Sequence, residues 1–187
     1  MFNYKITAGT EIRLLEERHA EKFFALVQEN YERLLHWCPW LDEVETVEKT
    51  RRFIKGKLLR FADGNGFTTG FFEQDKLTGV IALEYIDRTN RITEIGYWLD
   101  AEAEGKGLVT RACSVLIEYA FHELKLNRVQ IRCASQNIRS RAIPEKLGFI
   151  EEGVMRQVEK LSDRFVDLVI YGMLTDEWQR NETRENC

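Results

Sequence analysis

The chain has only two prolines, three histidines and four cysteines in 187 residues, and each scarcity narrows what it can be. Cys38, Cys113, Cys133 and Cys187 show no CxxC spacing and no histidine pairing. That pattern lacks a zinc framework and reads as free thiols in a reducing compartment, so no metal is expected and the cytoplasm is the expected location. No apolar run reaches the roughly 18 residues that span a bilayer. The opening MFNYKITAGTEIRLL has no basic segment followed by an apolar one, so no secretory signal is visible. Basic residues are not in excess either. Lys and Arg number 27 against 31 Asp and Glu, a net charge of −4, which argues against nucleic acid as the main partner. Repeats and low-complexity segments are missing, and the length fits one domain, 1–187, with a core over about 10–175 and a polar tail over 176–187, expected to fray after Trp178.

What remains is an ordinary globular composition, 44% apolar and 31% charged, with clear periodicity. A short strand is predicted at 10–15 and a helix at 18–35, ended by Pro39. A second helix follows at 46–61 with Thr46 as its N-cap and Val47, Phe53, Ile54, Leu58 and Phe61 facing inward. Strands at 67–72, 78–86 and 92–99, separated by QDK and DRTNR, read as an antiparallel meander. A long helix carries Leu108, Ala112, Val115, Leu116, Tyr119 and Ala120 on one face. Then come a strand at 129–133, a helix at 138–147, and strands at 150–161 and 165–174 joined by an SDR turn. The order strand, two helices, three strands, helix, strand, helix, two strands makes this α+β with a mixed sheet, not a doubly wound parallel sheet.

The most informative stretch is TEIGYWLDAEAEGKGLVTRACSVLIEYAF, residues 93–121. A strand leads through Gly105, Lys106 and Gly107 into the long helix. Free amides and the positive helix end there suit a phosphate-bearing ligand. The loop is not a Walker A sequence, and Thr110 stands where a dinucleotide fingerprint needs its third glycine. A second constellation follows: Asn137-Ile-Arg-Ser140 opens the next helix and Gly148-Phe149 closes it.

Together these two motifs resemble the cofactor motifs of the GNAT superfamily of N-acetyltransferases, Q/R-x-x-G-x-G/A and an N-x-x-[SA] helix ending in G-F. The chain looks most like the RimJ/RimL group of ribosomal-protein N-terminal acetyltransferases, through RLLEERHAEKFF, HWCPWL, IGYWLDAEAEGKGLVT and EGVMRQVEKLSDRFVDLVIYGML. The resemblance implies a seven-stranded, mostly antiparallel sheet with about four helices, whose fourth and fifth strands splay into a wedge for acetyl-coenzyme A. The backbone of Tyr97, Trp98 and Leu99 would pair with the pantetheine arm. The amides of Glu104, Gly105, Lys106, Gly107, Leu108, Val109 and Thr110 would hold the pyrophosphate, and Asn137 the pantetheine region. Lys106, Arg111, Arg139 and Arg141 are candidate phosphate partners. Glu104 and Val109 depart from the first motif, and Pro144 stands where many members carry a catalytic tyrosine, interrupting the helix.

The implied reaction is attack of a neutral amine on the acetyl thioester. Glu159 would be the general base, and Ser140 would donate to the departing thiolate, while Trp37 and Trp40 would flank the acceptor entrance. An exposed strand glutamate, a serine bonding only within its helix, and aromatics that merely fill a core corner would look the same in sequence. The implied acceptor is a protein N-terminus; a small amine, or a non-catalytic acetyl-coenzyme A module, are the alternatives. A homodimer is the assembly the family suggests. His19, His36 and His122 have no triad context. The basic run Arg51, Arg52, Lys55, Lys57 and Arg60 fits a solvated helix face or a dock for an acidic protein.

Overall fold

The computed structural model describes residues 3–161 and 164–185. Eight strands form one sheet: β1 (Asn3–Lys5), β2 (Thr10–Leu14), β3 (Phe67–Glu73), β4 (Lys76–Asp87), β5 (Ile92–Leu99), β6 (Arg128–Ala134), β7 (Ile150–Leu161) and β8 (Arg164–Leu174). Their order is β1-β2-β3-β4-β5-β6-β8-β7. Every pairing is antiparallel except β5 with β6, which is parallel. The predicted meander is present as β3, β4 and β5. Gln74 and Arg91 take left-handed conformations at φ 57° and 58° to close its turns.

Helices cover both faces. On one lie α1 (Ala20–Glu29), the short α2 (Tyr31–Leu34) and α3 (Val47–Ala62). Phe23, Leu26, Val27, Leu34 and Ile54 pack there with Phe72 and Leu77 from the sheet. The other face carries α4 (Leu108–Glu118), continued by a π turn, Tyr119–Glu123, together with α5 (Ile138–Lys146). Leu108, Ala112, Leu116, Ile117 and Ala120 recur at helical spacing and pack on Ile81, Ile95 and Val129. Thr46 caps α3, its hydroxyl accepting from the Lys49 amide at 3.2 Å.

Several expectations are corrected. The sheet has eight strands, not seven, because the three exposed residues of β1 pair with β2 without burying a side chain. The expected helix at 18–35 is broken at Asn30. Phe61 is exposed rather than inward. Beyond the sheet the chain continues as α6 (Thr175–Glu185), and Trp178 is buried against the α4-side core. Pro144 does not interrupt its helix, which runs to Lys146. The turn at Ser162 and Asp163, and Cys187, lie outside the described residues. Among the described residues no helix is long and apolar enough to cross a membrane.

Candidate functional site

The sheet opens where the one parallel pair among the described residues ends. β5 and β6 share three pairs, Ile92↔Arg128, Thr93↔Val129 and Glu94↔Gln130, and then part. β4 still pairs with β5 as far as Leu99, and β8 with β6 as far as Ala134. One edge of 95–99 therefore faces a wedge with no strand beside it. At the apex the buried Glu94 carboxylate accepts from Arg132 Nε at 2.7 Å and Gln130 Nε2 at 2.9 Å, tying the two strands together.

The loop beyond β5 is held from α1 and α2. Asn30, 5% exposed, breaks the helix and donates through Nδ2 to the Leu26 carbonyl at 3.0 Å and to Asp100 Oδ1 at 3.2 Å. Its Oδ1 accepts from the Ala101 amide at 3.3 Å and from Arg33 at 2.6 Å. Arg33 reaches on to the Leu99 carbonyl and the Glu104 carboxylate. Asn30, Arg33 and Asp100 were not singled out from the sequence. Asn30 lies on the same helical stripe as the buried Phe23, Val27 and Leu34, so the sequence shows a polar residue within an apolar stripe but not the partners that break the helix there.

Glu104 stands where a carboxylate would repel a phosphate. Its charge is shared by Arg33 and by Arg139, which donates to Oε2 at 2.8 Å across from α5. Leu108 and Val109 are buried, so they offer only their amides. The amides from Gly105 to Thr110 meet no acceptor among the described residues, which leaves donors gathered at the positive end of α4. Gly105 and Gly107 are left-handed at φ 75° and 72°, and a Cβ on either would meet nothing within 4 Å. Their requirement is conformational, and the space beside them is open. This cradle, with Lys106 in the loop and Arg139 opposite, fits a pyrophosphate, and the bare β5 edge fits an extended amide chain. Gly107→Ala is expected to lower stability by roughly 1–2 kcal/mol through backbone strain alone, measured by urea unfolding.

On the α5 side, Asn137 caps the helix, its Oδ1 accepting from the Ser140 amide at 3.1 Å. The Ser140 hydroxyl lies 3.2 Å from Cys133 Sγ and 3.5 Å from Tyr97 Oη. Pro144 has no N–H to give the Ser140 carbonyl four residues back. Tyr97 supplies the missing bond, its hydroxyl donating to that carbonyl at 2.9 Å. A phenol is thus delivered beside Ser140 by the strand, not by the helix. Burial holds the Tyr97 hydroxyl well above its ordinary value and raises the Cys133 thiol. Arg141 is committed elsewhere, donating to Tyr171 at 2.9 Å and the Ser135 carbonyl at 3.1 Å.

On the opposite face, Trp98 meets Trp40 at 6.1 Å between ring centroids, and Trp40 stacks on Phe53 at 5.7 Å. Trp37 stands apart, its ring against His36 at 6.4 Å. Glu159 is half-buried between exposed Val158 and Lys160, after a bulge in which Gln157 is left-handed at φ 48°. Burial raises the Glu159 carboxyl; Arg132 opposes this and Glu94 adds to it. Cys38 of HWCPWL is close enough to feel the Glu159 charge, and burial chiefly pushes its thiol up to about 12. The charges of Arg132 and Glu94 at the wedge apex thus act on Glu159, and that of Glu159 acts on Cys38 of HWCPWL. Among the described residues no cluster of metal-ligating side chains exists.

Comparison with known proteins agrees with this architecture. Residues 10–150 match the acetyltransferase (GNAT) domain family. The Bacillus subtilis protein named "Putative ribosomal N-acetyltransferase YdaF" is 42% identical over 180 residues, covering 96% of this chain and 98% of that protein. The Escherichia coli ribosomal-protein-serine acetyltransferase is 30% identical over 172 residues, covering 92% and 96%. A solved structure of RimL, the ribosomal L7/L12 α-N-protein acetyltransferase, superposes with a TM-score of 0.89 at 27% identity, covering 94% of this chain and 99% of that one. It is in complex with coenzyme A, joined to a cysteine by a disulfide.

Proposed function

This chain belongs to the GNAT acetyltransferase family, and we propose that within it the acceptor is the α-amino group at a protein N-terminus, of the ribosomal-protein type. The enzyme is an acetyl-coenzyme A-dependent N-acetyltransferase. Acetyl-coenzyme A supplies an acyl group already activated as a thioester. The observation that carries the choice of acceptor is Glu159: a half-buried carboxylate with a raised pKa, near HWCPWL and the open wedge. An α-amino group has a pKa of roughly 7.7–8.0 and a lysine amine about 10.4, so a single carboxylate suffices for the former far better than for the latter.

In this reading Glu159 accepts the proton that the attacking amine loses. The amides of β5 orient the acyl group and stabilise negative charge on its oxygen. Ser140 donates to the departing sulfur, with Tyr97 and Asn137 fixing its position. Cys133 is the thiol beside Ser140, and the coenzyme–cysteine disulfide in RimL supports a coenzyme sulfur coming to rest near such a thiol. The loop amides from Gly105 to Thr110 and Arg139 hold the pyrophosphate. A cytoplasmic location follows from such an acceptor. A homodimer belongs to the same reading, supported by the exposed Val154, Val158 and Phe165 on the β7–β8 hairpin.

The test is intact-mass and peptide analysis of ribosomal proteins incubated with enzyme and acetyl-coenzyme A. One acetyl group on an N-terminal residue is expected. Free amines acetylated in preference to every polypeptide would overturn the proposed acceptor and favour a small-molecule substrate.

A further inference from the structure

The basic run on α3 is not a uniform solvated face. It borders a groove of about 500 Å³ whose floor includes Trp40, Phe53 and Gly56. Four cations, Lys49, Arg52, Lys57 and Arg60, line it against two carboxylates, Asp42 and Glu43. Their engagements differ. Lys49 is held by Glu45, and Lys57 donates to Glu84 at 2.9 Å. Arg60 reaches only a neutral carbonyl, that of Glu84. Arg52 has no charged partner among the described residues and is exposed. The groove therefore presents two guanidinium groups, Arg52 and Arg60, that no carboxylate among the described residues pairs with directly, beside Trp40 and Phe53 and with Asp42 and Glu43 elsewhere in its lining.

Gly56 is the second observation. It sits in the interior of the 16-residue α3, where glycine costs about 1 kcal/mol relative to alanine. Packing does not require it: a Cβ there would meet nothing within 4 Å, and its φ is not left-handed. What the missing side chain does is leave the groove open. The groove also connects to the reacting centre. Its floor residue Trp40 contacts Trp98 of β5, and Glu84, the partner of its wall residue Lys57, lies against Gly96 of the same strand.

We propose that this groove seats an acidic stretch of the acceptor polypeptide, downstream of the amine that is acetylated. Carboxylates of the acceptor meet Arg52 and Arg60, and an apolar side chain rests on Phe53 and Trp40. The proposal rests on a polypeptide acceptor, and its test separates the two. Peptides with the same free N-terminal residue and acidic, neutral or basic residues after it are acetylated by the intact enzyme, and KM and kcat are measured at low and high salt. The wild type is expected to show a KM about tenfold lower for the acidic peptide than for the basic one, the gap shrinking with salt. Arg52→Glu is expected to reverse that order. Gly56→Leu fills the groove with a better helix former, so it is expected to unfold at no lower temperature than wild type while the acidic peptide's KM rises about tenfold and the KM for acetyl-coenzyme A holds. If the peptides are acetylated with the same KM whatever their charge, or both variants keep the wild-type KM, the groove assignment is wrong and the acceptor class stands. If no peptide is acetylated, the polypeptide acceptor is wrong and the groove assignment falls with it.

Discussion

Glu159→Gln is expected to lower kcat by about 10²–10⁴-fold, the usual worth of a positioned general base, with the KM for acetyl-coenzyme A little changed. The pH dependence distinguishes a base from a structural carboxylate. Burial raises the folded-state pKa of Glu159, so the group ionises later in the enzyme than in the unfolded chain. Activity that needs the ionised form falls as pH drops through that raised value. Glutamine removes this limb and leaves only the titration of the substrate amine. Stability runs the other way. A raised folded-state pKa contributes stability that is full below the unfolded value and lost as pH climbs through the folded one. The variant is therefore expected to be at least as stable as wild type at neutral pH while being far less active. A parallel loss of folding and rate, or an unchanged acid limb, would assign Glu159 to structure.

Asn30→Ala is expected to cost roughly 2–4 kcal/mol, because one truncation removes four hydrogen bonds and leaves Asp100, 7% exposed, without its amide donor. For a chain of this size that corresponds to a fall in Tm of about 4–16 °C. The effect should extend to the site. Asn30 steadies Arg33, and Arg33 holds the Leu99 carbonyl and Glu104 at the two ends of the loop after β5. The KM for acetyl-coenzyme A is expected to rise as that loop loosens. Thermal unfolding and coenzyme titration check the two effects. Stability within about 0.5 kcal/mol of wild type would show that the network is dispensable.

These two residues mark where the sequence was legible. Glu159 was reached through the resemblance carried by EGVMRQVEK, a local motif, and its role as base is the proposal tested above. The meander, the Gly105–Gly107 loop and the Thr46 cap are local in the same sense. Asn30 could not be placed by such means. Its partners Asp100 and Ala101 lie some seventy residues away, and a helix broken within an apolar stripe looks continuous until those partners are known. The hydroxyl of Tyr97 was missed for a related reason. The absence of a tyrosine at position 144 was plain, but only the folded sheet brings Tyr97 to the carbonyl that Pro144 leaves free. β1 and α6 escaped because neither has an apolar stripe. β1 is exposed throughout, and among the described side chains of α6 Trp178 docks on the core.

The proposed seat of the coenzyme is the gap between β5 and β6. Amide hydrogen exchange of the whole protein, with and without coenzyme A, reads this directly. Protection is predicted at 97–99, along the bare strand edge, and at 105–110, in the loop whose amides lack acceptors. Tight binding of coenzyme A with neither segment protected would contradict it.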